Sequence, residues 1–411
     1  MMESKAGIYI HIPFCVRKCN YCAFLSAPGD EEGIENYVNA LIDEIYGCKE
    51  NFTSVDTVYF GGGTPSLLTS EKLGRILNAL REKFPLDPDT EITLEANPGT
   101  LGSDNEAVFA RLNAYRKLGI NRLSMGVQSM NDEVLRFLGR IHNADEVRRD
   151  FHLAREAGFD NINLDLILSV PYIDNIHNDS NVNNINNDSD VAFNNKLNTE
   201  YLLNAERDVT SITEMNPEHI SCYSLQIEEG TPFGNMYEEG LLHEIPDELD
   251  REIYHRICDI LTENGYEHYE ISNFAKPGFE SRHNSKYWNM ADYLGLGLGA
   301  SGFVNGVRYK NTEDMKEYLA GNYISDEYKN TKHDNISEAV FTGLRRKVGI
   351  RYDEIFKGTS DAEQAFWDYY KDGRTEAENF AQSGHLIIDR KGLRLTESGI
   401  DISNKIMALF V

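Results

Sequence analysis

The sequence predicts an α/β protein: a partial (βα)6 barrel of TIM type, followed by a small helical and winged unit. Three observations carry that prediction. Six short runs of β-branched and aromatic residues alternate with longer stretches whose apolar residues recur at i, i+3 or i+4, and i+7. The order is strand then helix throughout, which is the arrangement of a parallel sheet with helical crossovers. Five successive runs are followed by cysteine, glycine, amide or carboxylate residues, and in βα barrels the C-terminal ends of the strands form the rim where ligands sit.

The strand candidates are residues 8–12, 57–60, 92–95, 122–125, 161–166 and 219–225, with starts 49, 35, 30, 39 and 58 residues apart. Among the helical stretches are ENYVNALIDEIYGCKE and SEKLGRILNALREKF, and Ser70 is the expected N-cap of the second. The long last interval contains residues 174–198, with ten Asn in 25 residues. So polar a segment buries too little apolar surface to offset its ordering entropy, and it reads as a flexible surface insertion. Past about residue 309, ISEAVFTGLRRKVGI and DAEQAFWDYYKDG read as amphipathic helices, and GHLIIDRKGLRLTESGI as a hairpin leading to a final helix. The expected organisation is a core over 1–245, an extension over 246–310 that closes the barrel, and a C-terminal unit over 311–411.

The 411 residues carry 40 Lys+Arg against 67 Asp+Glu, a formal net charge of -27. A chain that acidic repels phosphate backbones, so nucleic acid is not an expected partner. No apolar run approaches the roughly 18 residues of a membrane span, and the first residues lack the marks of a signal peptide. Six cysteines are too sparse for a disulfide scaffold and fit a reducing, cytoplasmic setting.

Three of those cysteines, Cys15, Cys19 and Cys22, fall in the spacing C-x3-C-x2-C directly after the first strand. A structural zinc site is one reading, with His11 as a fourth ligand, although zinc usually takes two separated pairs. The other is a [4Fe–4S] cluster, which normally takes four thiolates. With three, one iron keeps a position open to a ligand that is not protein. Cys48, Cys222 and Cys258 are scattered and read as packed residues.

The next strand runs into GGGTP (61–65), the third into EANPG with Glu95 and Asn97, the fourth into GVQS with Gln128, and the fifth carries Asp165. The cysteine spacing followed by GGGTP on such a scaffold resembles the radical S-adenosylmethionine (SAM) superfamily. More narrowly, YIHIPFCVRKCNYC, VYFGGGTPSLL, EITLEANPGTL, RLSMGVQSMNDEVLRFLGRIH and HNSKYW resemble the HemW-type haem chaperones, relatives of the oxygen-independent coproporphyrinogen III oxidase. The resemblance implies that Cys15, Cys19 and Cys22 hold the cluster and that Tyr9, Gly62 and Glu95 contact a SAM beside it. Tyr21, Gly63, Thr64, Gln128, Arg140 and Asp165 match the positions that hold a second SAM in the oxidase. Arg140 also has a plain reading as a surface ion pair.

Two features separate this chain from the oxidase: Phe24 stands where the oxidase has a further cysteine, and the first strand begins almost at residue 1. His283, Asn284, Tyr287 and Trp288 form the HNxxYW motif of the chaperone branch, and His283 is the implied haem ligand, with aromatic faces beside it. The plain reading of that histidine is a packed, half-buried loop. The chain departs from the chaperone pattern at Ser169, where glycine is usual, and at Ser301, where histidine is common. GLGLGASG contains G-x-G-x-x-G but reads as a tight glycine loop, not a dinucleotide fingerprint. The expected function is to hold haem and pass it to acceptor haemoproteins, which places membrane contact with those acceptors. A flavodoxin or ferredoxin is the candidate reductant. The alternatives are a radical SAM oxidase acting on coproporphyrinogen III or a related substrate, and a structural zinc protein.

Overall fold

The computed structural model describes residues 5–172 and 187–411. All six expected strands form: β1 (Ala6–Ile12), β2 (Val55–Gly62), β3 (Leu86–Ala96), β4 (Arg122–Gln128), β5 (Ile162–Leu168) and β6 (His219–Ser224). Each lies parallel to the next, in sequence order. Helices Glu31–Gly47, Ser70–Lys83, Asn105–Lys117, Ala144–Glu156 and Asn187–Met215 stand between them. The cap of the second of these helices is Thr69, one residue before the expected Ser70. Its hydroxyl accepts from the Lys72 backbone N–H, the third amide of the first turn.

Strand alternation divides the sheet into two faces. Ile8, Ile10, Val58, Phe60, Leu94 and Leu164 are fully buried beneath the helices. Their alternates lie on the opposite face: Tyr9 stacks on Tyr59, Tyr59 bonds Glu95, and Ser124, Asn163 and Asp165 bond one another. A parallel sheet is commonly apolar on both faces. Here one face is polar, which is what a barrel interior used as a binding site requires.

The sheet grows at both edges. A hairpin of β7 (Glu267–Glu270) and β8 (Asn273–Ala275) adds antiparallel to β6. Beyond β1 lie β9 (Tyr293–Leu296), parallel to it, then antiparallel β10 (Ser301–Val304), β11 (Val307–Asn311) and β12 (Ile324–Lys329). The twelve strands run in the order β12-β11-β10-β9-β1-β2-β3-β4-β5-β6-β8-β7, with no pairing among the described residues that joins the two ends. The barrel is partial, as expected.

This sheet runs past residue 311, because β12 pairs with β11 along its whole length. After it come helix Lys332–Gly343, helices Ala362–Tyr369 and Arg374–Gln382, and a three-stranded sheet of β13 (Ile350–Arg351), β14 (Leu386–Ile388) and β15 (Gly392–Leu395), in the order β13-β15-β14. The β14–β15 pair is the expected hairpin. Of the Asn-rich segment, residues 174–186 lie outside the described residues. From Asn187 it is helical, the start of the 29-residue helix Asn187–Met215, not a loop. Extending an existing helix costs far less than starting one, so the amphipathic stretch that follows carries these polar residues with it.

Helix Arg282–Trp288 closes the end of the barrel where the strands begin. Glu91 in β3 accepts from the Arg282 and His283 backbone N–H groups, at 3.3 and 3.1 Å, placing a carboxylate at the first turn. Lys286 pairs with Asp56 at 2.6 Å, and its ammonium donates to the Lys5 carbonyl at 2.7 Å. His283 bonds Thr57 through Nδ1 at 2.9 Å and the Tyr287 hydroxyl through Nε2 at 2.8 Å. Burial pushes its pKa down to about 3, so the ring is neutral and each nitrogen is matched to a hydroxyl. His283→Ala would strand both hydroxyls in the interior, so the expected loss is about 3 kcal/mol of stability. Urea unfolding checks it. An unchanged midpoint would show that the plug does not support the barrel.

Candidate functional site

The three clustered cysteines sit on a loop that leaves β1 and is closed at its neck. The Cys15 amide donates to Ala27 at 3.1 Å and the Ala27 amide to Pro13 at 2.9 Å. Its middle is pinned by Asn20, whose amide N–H donates to Leu138 at 3.0 Å and whose Nδ2 donates to Phe137 at 2.8 Å. All three thiols are free and partly exposed. Among the described residues no three His, Cys, Asp or Glu side chains gather tightly enough to hold a single metal ion. His11 turns away from the thiols. It donates Nε2–H to the Leu25 carbonyl at 2.9 Å and accepts the Tyr9 hydroxyl at 3.1 Å.

The GGGTP turn at the end of β2 is bonded directly to that loop. Gly63 N–H donates to Ile12 at 2.8 Å and Thr64 N–H to Phe14 at 2.7 Å. A Cβ on Gly63 would meet the Phe14 carbonyl oxygen at 2.6 Å, so only glycine allows this approach. Gly62 has φ +110°, and a Cβ there would strike the His11 ring at 2.4 Å. Thr64 then reaches the Cys15 sulfur at 3.5 Å and accepts from Asn97 Nδ2 at 2.8 Å.

Beside the turn, in the barrel interior, Gly61 is tightly packed: a Cβ there would meet Tyr59 at 2.9 Å and both Glu95 and Tyr9 at 3.0 Å, closer than ordinary van der Waals contact. Glu95 accepts from the Tyr59 hydroxyl at 2.8 Å and from Gly62 N–H at 3.1 Å. Burial, reinforced by Asp165, pushes its pKa up to about 7 against those hydrogen bonds.

Arg140 crosses the rim and is no surface ion pair. It donates to Asn97 Oδ1 at 2.7 Å, to the Gly126 carbonyl at 2.6 Å and to the Cys19 sulfur at 3.4 Å. Tyr21 packs beside its guanidinium. Asp165 accepts from Asn163 at 2.7 Å and Ser124 at 3.3 Å, deeper in the interior. Gln128 ends β4 with φ +72°, a left-handed conformation costing a non-glycine residue about 1 kcal/mol. Ser169, at the position where the chaperone pattern has glycine, keeps that conformation with φ +57°. In GLGLGASG, Gly297 and Gly299 also have positive φ, and a Cβ on Gly299 would collide with Leu25 of the cysteine loop. This is the tight loop expected, and Ser301 after it is exposed.

The structure thus brings Cys15, Cys19, Tyr21, Gly63, Thr64 and Arg140 together at the rim, above Tyr9, Gly62 and Glu95. It does not bring the HNxxYW residues to them. His283 is 1% exposed, with its ring nitrogens bonded to Thr57 and Tyr287. Tyr287 is its hydrogen-bond partner, Trp288 packs under the Arg345 guanidinium at 4.5 Å, and Asn284 lies in the first turn of the plug helix. Sequence reasoning missed Asn20. A polar amide between two loop cysteines carries no periodic signal, and its partners lie more than a hundred residues away.

Gly63→Ala should loosen the junction of the glycine turn with the loop, raising the alkylation rates of Cys15, Cys19 and Cys22. Gly47→Ala, where a Cβ meets nothing within 4 Å, should leave those rates unchanged. Equal rates in both variants would show that the two backbone bonds do not hold the loop.

The pattern of the radical SAM superfamily matches residues 9–177. The chain is 33% identical to the heme chaperone HemW of Lactococcus lactis, covering 100% of this chain and 98% of that one. It is 32% identical to HemW of Escherichia coli, with 98% of each chain covered. Among solved structures it is similar to the Escherichia coli coproporphyrinogen III oxidase, HemN. The TM-score is 0.79 at 23% identity, over 99% of this chain and 90% of that one, a likeness of fold. With the cysteine loop, the glycine turn and the polar barrel interior all in place over full length, the chain belongs to the HemW family of the radical SAM superfamily.

Proposed function

We propose that this protein is a haem chaperone that carries a [4Fe–4S] cluster and SAM, binds haem and delivers it to acceptor haemoproteins. The observation that carries the reading is the pinned loop of three free, partly exposed thiols bonded to a glycine turn. Three free, partly exposed thiols on one short loop fit a cluster in which each takes a different iron. The buried carboxylate of Glu95, held beneath the glycine turn by Tyr59 and Gly62 N–H, fits a cationic ligand. Cys15, Cys19 and Cys22 would hold the cluster, and Tyr9, Gly62 and Glu95 a SAM beside it. Tyr21, Gly63, Thr64, Gln128, Arg140 and Asp165 are the candidates for a second. When bound, the cluster supplies one electron at a time and an open iron position. The protein's own part is to fix the loop, shield it with Arg140 and Tyr21, and hold a proton on Glu95 that ligand binding releases. A flavodoxin or ferredoxin is the proposed donor. The proposed setting is the cytoplasm, where acceptors can bring the protein to a membrane. No helix among the described residues is long and apolar enough to cross one.

The second reading, a coproporphyrinogen oxidase, is favoured by the likeness of fold. Against it stands Phe24, which fills the position of the oxidase's further cysteine and is 68% exposed.

Anaerobically purified protein should contain iron and labile sulfide, lost in Cys15→Ala, Cys19→Ala and Cys22→Ala but kept in Cys48→Ala. It should also bind haem without oxidising coproporphyrinogen. Zinc without sulfide would end the cluster reading, and porphyrinogen turnover without haem binding would establish the oxidase. SAM affinity should rise with pH through about 7. Below that value Glu95 is protonated and must lose its proton to meet a cation, so binding near pH 6 should be about tenfold weaker than near pH 8. Calorimetry at the two pH values checks this, and Glu95→Gln should flatten the difference. An unaltered pH profile in that variant would remove Glu95 from the site.

A further inference from the structure

We propose that the outer face of the cysteine loop is the docking surface for the electron donor, a small acidic one-electron carrier protein. The inference rests on the donor reading above and gives that donor a place on the molecule. It begins from an imbalance of charge. Residues 13–29 contain Arg17 and Lys18 and no carboxylate, in a chain of net charge -27. Both side chains are exposed, and neither forms a hydrogen bond or ion pair with a described residue. A third cation stands beside them. Arg136 is exposed on helix Asp132–Phe137, donates Nε–H to the Asp132 carbonyl at 3.1 Å, and forms no ion pair among the described residues. That helix is tied to the loop, because Asn20 donates to the Phe137 and Leu138 carbonyls. Three cations without an ion-pair partner, gathered on one face of so acidic a protein, fit a partner of negative charge.

The same face exposes apolar side chains. Val16 is 56%, Phe24 68% and Ile141 46% exposed, and apolar surface rimmed by charge marks a protein contact. Each of these residues adjoins the thiols. Val16 follows Cys15, Lys18 precedes Cys19, and Phe24 comes two residues after Cys22. Ile141 follows Arg140, whose guanidinium donates to the Cys19 sulfur at 3.4 Å. A carrier seated here reaches the proposed cluster across one loop and leaves the barrel interior to SAM. The step is a single electron transfer: the carrier's reduced centre loses one electron, the oxidised cluster gains it, and no bond or proton moves. Repulsion from the rest of the chain does not forbid the contact, since charges more than about 8 Å apart are largely screened at physiological salt. Glu238 and Glu239 mark the edge of the face. They end helix Pro232–Glu238, about 10 Å of helix beyond the point where Phe233 N–H donates to the Asn20 carbonyl at 2.9 Å. An anionic membrane would read the same cations, but their placement at the thiols serves electron entry.

The test is stopped-flow reduction of the full-length, cluster-loaded protein, read from the cluster's visible absorption. The probes are reduced flavodoxin, reduced ferredoxin and light-excited deazariboflavin, a small uncharged reductant that needs no docking. The variants are the loop pair Arg17→Glu with Lys18→Glu, then Phe24→Ser, then a control pair, Lys49→Glu with Lys357→Glu. The control makes the same change of charge at exposed sites elsewhere. Wild type should be reduced by at least one carrier, more slowly as salt rises. The loop pair should slow that carrier by about tenfold or more and lose most of the salt dependence. Phe24→Ser should raise the carrier concentration needed for half the maximal rate. The control pair should match wild type, and deazariboflavin reduction, iron and sulfide should be the same in all. A carrier rate unchanged in the loop pair overturns the face and leaves the donor reading in place. If that pair also loses binding to vesicles of phosphatidylserine and phosphatidylcholine, the face belongs to a membrane. Equal slowing with deazariboflavin overturns it too, since the cations then serve the cluster itself. A wild-type cluster that deazariboflavin reduces and neither carrier does overturns both the face and the donor reading.

Discussion

Two backbone hydrogen bonds, Gly63 to Ile12 and Thr64 to Phe14, fix the geometry on which the site depends. They extend the β1–β2 ladder past the ends of both strands, where Ile12 is level with Gly62. Parallel strands that end level deliver their loops to the same height, so the first loop's thiols and the second loop's glycines meet without any long connection. Everything further is attached to that junction. Thr64 reaches Cys15 on one side and Asn97 on the other, Asn97 holds Arg140, and Arg140 returns to Cys19. The closed circuit draws on the ends of strands β1 to β4, which is how a rim site stays rigid although built from loops. Gly63 cannot be replaced without opening it, because the space for a Cβ is already taken by backbone.

The two ends of the barrel have different tasks. At the far end the HNxxYW helix is a plug, tied down by Glu91, Asp56 and Thr57. The ends communicate through aromatic rings. His283 stacks on Tyr59 with centroids 5.2 Å apart, and the Tyr59 hydroxyl holds Glu95 beneath the glycine turn. A change in the plug therefore reaches the carboxylate of the proposed SAM site without touching a ligand. The plug helix in this way sets the floor on which the interior polar groups rest.

Most of the architecture was legible in the sequence because its signal is local. Strand runs such as 8–12 and 122–125 are short and β-rich, and the cysteine spacing and GGGTP are contiguous. What was not legible depends on distant partners. Ser70 was displaced by Thr69 as a cap because both carry hydroxyls and only the geometry of the first turn selects between them. The helix from Asn187 owes its start to residues downstream. β12 joined the main sheet by pairing with β11, which its polar sequence did not announce. The burial of His283 depends on a distant partner too: Thr57, more than two hundred residues earlier, is bonded to its ring.

The central claim is that the junction of the cysteine loop and the glycine turn at the rim carries the proposed cofactors, while the opposite end is closed. Hydrogen–deuterium exchange on the cluster-loaded protein with and without SAM tests it most directly, because it reports where backbone is protected. The account predicts SAM-dependent protection in the cysteine loop, residues 13–27, and in the glycine turn, residues 61–65, with the plug helix Arg282–Trp288 unchanged. Protection confined to that helix and to the strand starts near Thr57 and Glu91 would contradict it.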